Sequence, residues 1–172
     1  EIKAQVIELG NLLGCPPNYI DGHQHVQQLP IIRDAVSKIA KELTQINCNF
    51  YVRSARIPLR WLLKNIRSET KIDQLISGNL VITIPGKRFS VSLKKMGISH
   101  NRFLLGYYKY NGNNRFRDVF KMYLRINPSP RDVFFCHPGY LDDDLRKKDT
   151  LVDNRLDCLK FLKSQESREL LE

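Results

Sequence analysis

The sequence predicts an α/β fold in which parallel strands alternate with helices, either as an open sheet or as part of a barrel. Short apolar segments with strand composition alternate with segments whose apolar residues recur every three or four positions. With 172 residues, of which 42% are hydrophobic, the chain can bury a core, so we expect a single α/β domain over residues 1–172. Polar residues follow several predicted strands, and active sites form at this edge of a parallel sheet.

The first part of the chain gives two helices and two strands. A helix is predicted over residues 1–14, because four apolar residues are spaced to form one buried face: Ile2, Val6, Leu9 and Leu13. Gly14 and two prolines end it. Tyr19 and Ile20 form a short strand, a second amphipathic helix covers residues 30–43, and a strand at 50–52 ends at Arg53.

The remainder is less regular. Residues 72–76 have helical spacing, whereas the apolar run before Pro85 and Gly86 has strand composition and is either a hairpin arm or a loose connection. The other predicted elements are a buried strand at 103–106, an exposed turn at 111–114, a helix at 116–124, a strand at 133–136 and a helix at 151–162.

Both ends of the chain have helical composition but lack capping and stop signals. We therefore expect a fragment of a longer protein. A missing part would expose the edge of a parallel sheet, which favours aggregation. A partner segment or chain should cover that edge, and a homodimer is one candidate.

Composition limits the classes of partner. Lys and Arg outnumber Asp and Glu by 28 to 18, and the net charge of +10 favours anionic partners. The basic residues are dispersed, and the sequence has no recognition helix or aromatic RNA platform, so no specific nucleic acid is expected. No apolar run reaches the roughly 20 residues of a membrane span, so we expect no membrane partner.

The four cysteines form no CxxC pair, which fits a reduced, cytoplasmic protein.

Two histidines stand close together in the segment Asp-Gly-His-Gln-His at residues 21–25. If the residues before this segment are extended, alternate side chains point to the same side of the backbone, so His23 and His25 can both face one cavity. Neutral imidazole and carboxylate are ligands for a catalytic metal, and Asp21 could bind the ion or fix a histidine tautomer. The alternatives are a surface histidine pair, and an Asp21 that bonds backbone amides in the turn at Gly22.

A second candidate, His137, follows the predicted strand at 133–136 and precedes Pro138 and Gly139. A histidine held there can act as a general acid near neutral pH, or it is a loop histidine bonded to a carbonyl. Arg53 and Arg56 could position an anionic group of a substrate or form structural ion pairs. We expect these residues and the histidine motif to meet at one rim of the fold.

Other polar groups are given no catalytic role. His100 is expected to be exposed among polar residues. Of the three consecutive aspartates at residues 142–144, one is expected to cap a helix rather than bind a metal. The sequence shows no fixed-period repeat and no low-complexity tract.

Four separated blocks occur in the order in which one family has them. They are Asp-Gly-His-Gln-His-Val at 21–26 with Leu29-Pro30, Val52-Arg53 with Arg56-Ile57-Pro58, Phe-Leu-Leu-Gly at 103–106, and Cys-His-Pro-Gly-Tyr at 136–140 with Asp142. With these blocks the chain resembles the YdjC family, the ChbG-type carbohydrate deacetylases. The blocks span most of the chain, which makes the resemblance more specific than any single motif.

The resemblance implies a partial (β/α) barrel of the polysaccharide-deacetylase-like type. It implies removal of an N-acetyl group from an amino sugar in a short oligosaccharide, with one divalent metal ion, Mg or Zn, held by an aspartate and two histidines. His23 would be one ligand, and the others belong to N-terminal strands of the family for which this chain has no matching segment. The family usually has a third histidine at the position of Gln27. The amide of Gln27 can form hydrogen bonds but cannot act as an acid.

In the mechanism that the resemblance implies, the metal polarises the acetamide carbonyl and a carboxylate activates the attacking water. His137 then protonates the departing sugar amine, while Asp21 and His25 orient ligand and substrate. The residues expected to contact the acetylated amino-sugar oligosaccharide are Arg53, Arg56 and Tyr140. With one of three ligands present, the chain alone should bind metal poorly and show little activity.

Two alternatives stay open. A catalytically inactive relative could act as a carbohydrate-binding or interaction module. A nucleic-acid binder is suggested only by net charge, and its binding would weaken steeply as salt rises.

Overall fold

A computed structural model describes residues 1–58, 73–107, 115–148 and 152–172. The chain divides into two compact units: unit 1 comprises Glu1–Leu104 and Pro130–Val133, and unit 2 comprises Leu105–Ser129 and Phe134–Glu172. The single domain, its place in a longer barrel and the homodimer stay predictions. The predicted turn at 111–114 lies outside the described residues.

Helices and short strands alternate along the described chain. The first elements are α1 (Ile2–Leu13), β1 (Tyr19–Ile20), a 3-10 helix (His23–Gln28), α2 (Pro30–Ile46), β2 (Tyr51–Val52), α3 (Asp73–Lys95) and β3 (Ser99–His100). They are followed by β4 (Leu104–Leu105), α4 (Phe116–Leu124), β5 (Val133–Phe134), α5 (Asp143–Lys148), α6 (Asp153–Leu162) and α7 (Gln165–Glu169). No helix in this part of the chain has the length and apolar character needed to cross a membrane.

Strands β1, β2 and β3 form a parallel sheet in that order. Tyr19 lies opposite Tyr51, and their rings stack with centroids 5.5 Å apart. Because the strands are parallel, their carboxyl ends share one edge, which brings the residues after β1 and β2 together. The α/β class is thus confirmed. The described strands form no closed barrel, and the partial barrel stays a prediction.

The core of unit 1 lies between the sheet, α2 and α3. Its buried residues are Val36, Ile39, Ala40, Leu43, Phe50, Val52, Phe89, Leu93 and Ile98. The predicted apolar face of α2 is therefore confirmed. The predicted face of α1 is half wrong: Ile2 and Val6 pack against this core, whereas Leu9 and Leu13 are 44% and 58% exposed. Only the first turns of α1 reach the core, so periodicity alone overstates how much of the helix is covered.

The apolar run before Pro85 lies within α3, so a hairpin arm or loose connection at this place is wrong. Packing of α3 on the core outweighs the strand propensity of β-branched residues. Pro85 has no N–H and interrupts the hydrogen bonding of the helix. Side chains from other elements bond carbonyls on both sides of it: Gln28 Nε2 donates to Ile82 O at 3.1 Å, and Ser54 Oγ donates to Gly86 O at 3.2 Å.

Strands β4 and β5 pair with each other. The N–H of Val133 donates to Phe103 O and the N–H of Phe135 donates to Leu105 O, and this constant offset is the pattern of parallel strands. The division between the two units falls inside both strands.

Unit 2 is built around aromatic side chains. Its buried cluster comprises Phe116, Phe120, Cys158 and Phe161, from α4 and α6. Phe134 of β5 lies against Phe120 with ring centroids 5.0 Å apart. The predicted helix at 116–124 is confirmed, and so is a cap on α5, where Asp142 Oδ1 accepts from Leu145 N–H at 2.7 Å.

Candidate functional site

The two-histidine segment after β1 is a tight turn. Within the 3-10 helix, Gln24 and His25 have left-handed backbone, with φ of 49° and 64°. The residues before the motif are extended in β1, but the alternation of side chains does not continue through this turn, so a cavity shared by His23 and His25 stays a prediction. His23 is exposed, whereas His25 is half-buried. Left-handed backbone costs about 1–2 kcal/mol per residue, which hydrogen bonds from Arg53 to this turn offset.

Arg53 is the centre of the site. It follows β2, while Asp21 follows β1, and the parallel pairing brings both to one edge of the sheet, as predicted. Its guanidinium forms an ion pair with Asp21 and donates to His25 Nδ1 at 2.9 Å and to Gly22 O at 3.5 Å. The Arg53 side chain is 12% exposed and that of Asp21 is 40% exposed. Of the two interpretations of Arg53, this geometry favours the structural ion pair.

The hydrogen bond from Arg53 also fixes the tautomer of His25. A guanidinium keeps its protons, so His25 Nδ1 must be the acceptor in this contact. The proton of the neutral imidazole is then on Nε2. His25 Nδ1 is consequently not available to a metal ion.

A buried amide on each side fixes the backbone after β2. Gln27 is 1% exposed, and its Nε2 donates to Arg53 O at 2.9 Å. Gly22 packs so closely on it that a Cβ at Gly22 would lie 2.6 Å from Gln27 Oε1. On the other side, Asn101 Oδ1 accepts from Ser54 N–H at 2.6 Å and Asn101 Nδ2 donates to Ser54 O at 2.8 Å. These hydrogen bonds fix the backbone at Arg53 and Ser54, and this fixes the position from which the Arg53 side chain extends.

The described residues do not by themselves fit a metal ion. Within the ranges that the structure describes, no group of three or more His, Cys, Asp or Glu side chains could hold one. The Asp21 carboxylate and His25 Nδ1 are both bonded to Arg53. Within residues 21–25 this leaves the exposed imidazole of His23 and the second oxygen of the partly exposed Asp21 as metal donors.

His137 lies in unit 2, shortly after β5. Its side chain is exposed, and its ring packs edge-on against Phe135 with centroids 5.6 Å apart. The N–H of Gly139 donates to Arg155 O of α6 at 3.3 Å, which anchors the segment to that helix. An exposed imidazole on an anchored backbone can exchange a proton with a bound molecule. That His137 shares a pocket with His23 stays a prediction.

Three more side chains from the sequence analysis have defined surroundings. Tyr140 is 70% exposed, and its hydroxyl accepts from Lys163 Nζ at 2.8 Å. The guanidinium of Arg56 lies 5.1 Å from the ring centroid of Phe103. His100 is half-buried at the end of β3 instead of exposed, and burial lowers its pKa. Substrate contact by Tyr140 and Arg56 stays a prediction.

Sequence reasoning missed two features of these regions. The first is the pair of hydrogen bonds between Asn101 and the backbone of Ser54. Its only trace in the sequence is a polar residue directly after β3, a strand that the sequence did not predict. The second is that Cys136 packs against the buried cluster of unit 2 to which Cys158 belongs. A cavity of about 420 Å³ in unit 1 includes none of the predicted site residues and is lined by Asp34, Ser37, Lys38, Lys41, Glu42, Gln45, Ser92 and Met96.

Comparison with known proteins bears on the whole chain. No curated protein and no solved structure gives a significant match. The family model described as "YdjC-like protein" matches residues 1–172. The resemblance inferred from the four sequence blocks is thereby confirmed. The chain belongs to the YdjC-like family.

Proposed function

We propose that this protein is a metal-dependent hydrolase that removes N-acetyl groups from amino-sugar oligosaccharides. The observation that carries the proposal is that the family's Asp-Gly-His-Gln-His segment is folded by Arg53 into a fixed polar turn at the carboxyl edge of the sheet. The YdjC-like family is associated with carbohydrate deacetylase-type function. All four cysteines are free, which fits the cytoplasmic setting that we propose.

Arg53 has a positioning role in this proposal. It holds Asp21 and His25 and thereby sets the conformation of the turn that carries His23. Gln27 supports it by bonding the carbonyl of Arg53, which is a structural task that an amide performs without acting as an acid. The departure from the family's usual histidine at Gln27 is therefore compatible with a formed site.

His137 is the proposed general acid. An imidazole can hold a proton near neutral pH and transfer it to the departing amine as the carbon–nitrogen bond breaks. Tyr140, in the same segment, offers an exposed aromatic face to a sugar ring, and Lys163 holds its hydroxyl. Arg56 is kept as a further substrate contact.

The divalent metal, Mg or Zn, belongs to the proposal as the group that would polarise the acetamide carbonyl. His23 is the ligand that this motif would contribute. Catalytic sites commonly use about three protein ligands, so the others must come from outside the described residues. Dialysis against a chelator should abolish acetate release from N-acetylglucosamine oligomers, and added Mg or Zn should restore it. Activity that persists in the chelator would remove the metal from the proposal.

Substitution of the two histidines tests the proposed function directly. In the intact protein, His23→Ala and His137→Ala should each lower the rate of acetate release by at least about 100-fold, the size expected for loss of a general acid or a ligand. Gln24→Asn is a matched control, because Gln24 is exposed in the same turn and asparagine accepts its left-handed backbone. Unchanged deacetylation in both histidine variants would refute the assignment.

A second candidate is a carbohydrate-binding or interaction module without catalysis. It is favoured by one observation: Arg53 bonds His25 Nδ1 and one oxygen of Asp21, so these two atoms of the motif are not directed at a metal. Titration of N-acetylglucosamine oligomers with calorimetric detection separates the two. Binding that depends on Tyr140 but leaves the oligomers acetylated in the presence of Mg or Zn would favour the module.

A further inference from the structure

A groove between α2 and α3 in unit 1 includes none of the residues of the proposed function. Six residues of α2 line it, at spacings of one, three and four: Asp34, Ser37, Lys38, Lys41, Glu42 and Gln45. These spacings put all six on one face of the helix, over a length of about 16 Å. Ser92 and Met96 of α3 complete the lining. The volume of about 420 Å³ falls in the range of roughly 300–1,000 Å³ that is usual for small-molecule sites.

The charged groups that line this groove are unequally paired. The carboxylates of Asp34 and Glu42 each accept a hydrogen bond from a basic side chain, at 3.2 Å and 2.9 Å. By contrast, no ion pair or hydrogen bond to a described residue holds the ammonium group of Lys38 or Lys41. Two positive charges one helical turn apart are therefore available to a ligand. One oxygen of each carboxylate stays available as an acceptor.

Ser37 adds a hydroxyl group that the free protein does not use. The residue is 5% exposed, and its Oγ bonds no atom of the described part of the chain. A buried hydroxyl without a hydrogen bond is unfavourable, and a ligand atom that bonds it removes this penalty. Because no hydrogen bond holds the group, rotation about one side-chain bond can turn it towards the groove. The lining thus offers two cations, two acceptors and a hydroxyl.

We propose that this groove binds a small carboxylic acid that also carries several hydroxyl groups, a sugar acid such as a hexuronate. The ligand carboxylate pairs with Lys38 and Lys41. Its hydroxyl groups donate to the available oxygens of Asp34 and Glu42 and bond Ser37, which can both donate and accept. Since both carboxylates of the groove already have a basic partner, a ligand ammonium gains little there. A neutral sugar leaves the two lysines unpaired and should bind more weakly.

Titration of the full chain with glucuronate and with glucose tests the proposal. The two rings differ at one carbon, which is a carboxylate in glucuronate and a hydroxymethyl group in glucose. Glucuronate should bind at least about tenfold more tightly, the size expected for one charge-assisted hydrogen bond. Calorimetry and ligand-observed NMR both measure the affinity. Absence of glucuronate binding in both measurements, or equal affinity for glucose, would overturn the proposal.

Lysine variants assign the binding to this groove. Lys41→Gln should lower the affinity for glucuronate about tenfold and that for glucose much less. Lys87→Gln is the matched control, because Lys87 is an exposed residue of α3 outside the lining. It removes the same charge from a protein whose net charge of +10 attracts any anion. Equal losses of glucuronate affinity in the two variants would show general attraction of anions and would overturn the site.

Ser37→Ala separates binding from folding. The hydroxyl has no partner in the described part of the free protein, so its removal should leave the urea midpoint unchanged or raise it. The affinity for glucuronate should nevertheless fall about fivefold. A destabilised variant that binds glucuronate normally would contradict the role of Ser37. None of these measurements depends on deacetylation, so an inactive protein would count against the proposed function and not against this site.

Discussion

The two histidine motifs of this protein are held in different ways. The turn after β1 is held by charge: Arg53 bonds Asp21, His25 and the carbonyl of Gly22. The segment of His137 is held by close approach of backbone and by packing, through Gly139 on α6 and an aromatic contact with Phe135. We therefore expect the first region to be sensitive to loss of charge and the second to added volume.

The difference also explains how each region can be regulated or damaged. A charge network around one guanidinium fails as a whole when that group is lost, because each partner is left with an unsatisfied charge or lone pair. A packed segment responds instead to covalent or steric change.

The largest effect is expected from a methyl group at Gly106, which follows β4 and lies against the backbone of Phe135, two residues before His137. Gly106 has φ of +99°, and a Cβ there would collide with Phe135 O, so Gly106→Ala should lower the free energy of unfolding by about 3 kcal/mol. Gly97→Ala is the matched control: it also has positive φ, +71°, but nothing lies within 4 Å of its Cβ, so about 1 kcal/mol is expected. Urea unfolding measures both. If both variants lose the same free energy of unfolding, close packing at Gly106 does not hold the His137 segment.

Removal of charge from the first region should have the next largest effect. Arg53→Ala removes the guanidinium that bonds both Asp21 and His25, and we expect the free energy of unfolding to fall by about 2–3 kcal/mol. The control is Lys3→Ala, which breaks the exposed pair with Glu42 and should lower the free energy of unfolding far less, because solvent screens an exposed ion pair. Urea unfolding again gives both values. An Arg53 variant as stable as the Lys3 variant would contradict charge as the main support of the turn.

The smallest effect tests an exposed charge network in unit 2. Arg117 and Lys121 bond Glu166 and lower its pKa to about 2. A carboxyl whose pKa falls on folding stabilises the protein above its unfolded pKa, near 4.5, and loses this contribution as the pH falls towards 2. Glu166→Gln should therefore lower the urea midpoint slightly at neutral pH, and the difference should shrink in acid. Glu8→Gln, an exposed residue of α1, serves as the control. A difference that grows in acid would have the wrong sign.

Helical periodicity predicted α2 and the helix at 116–124 correctly, because each buries one continuous face and the apolar residues must recur with the helical repeat. The same reasoning failed for the run before Pro85. Its strand propensity is worth a fraction of a kcal/mol per residue, and packing of α3 on the core outweighs it. Periodicity also predicted a buried face along the whole of α1, whereas Leu9 and Leu13 are exposed.

The candidate site was predicted in part. The residues directly after strands, Asp21 and Arg53, meet as expected because parallel strands place their carboxyl ends at one edge. The conformation of His23 and His25 was not predictable from spacing, since hydrogen bonds from Arg53, distant in the chain, decide which way the turn closes. The hydrogen bonds of Asn101 with Ser54 depend on the position of Asn101 directly after β3. Ser99 and His100, the two polar residues of β3, do not predict a strand.

Motifs and local patterns were enough to predict the family, the α/β class, most helices and the residues that carry polar chemistry. These depend on motifs and on patterns within contiguous residues, where repeat and composition reflect local geometry. The contacts of Arg53 with both Asp21 and His25 were apparent only from the folded chain. The physical reason is that a hydrogen bond acts over about 3 Å, so it depends on how distant segments of the chain are brought together, which local patterns do not specify.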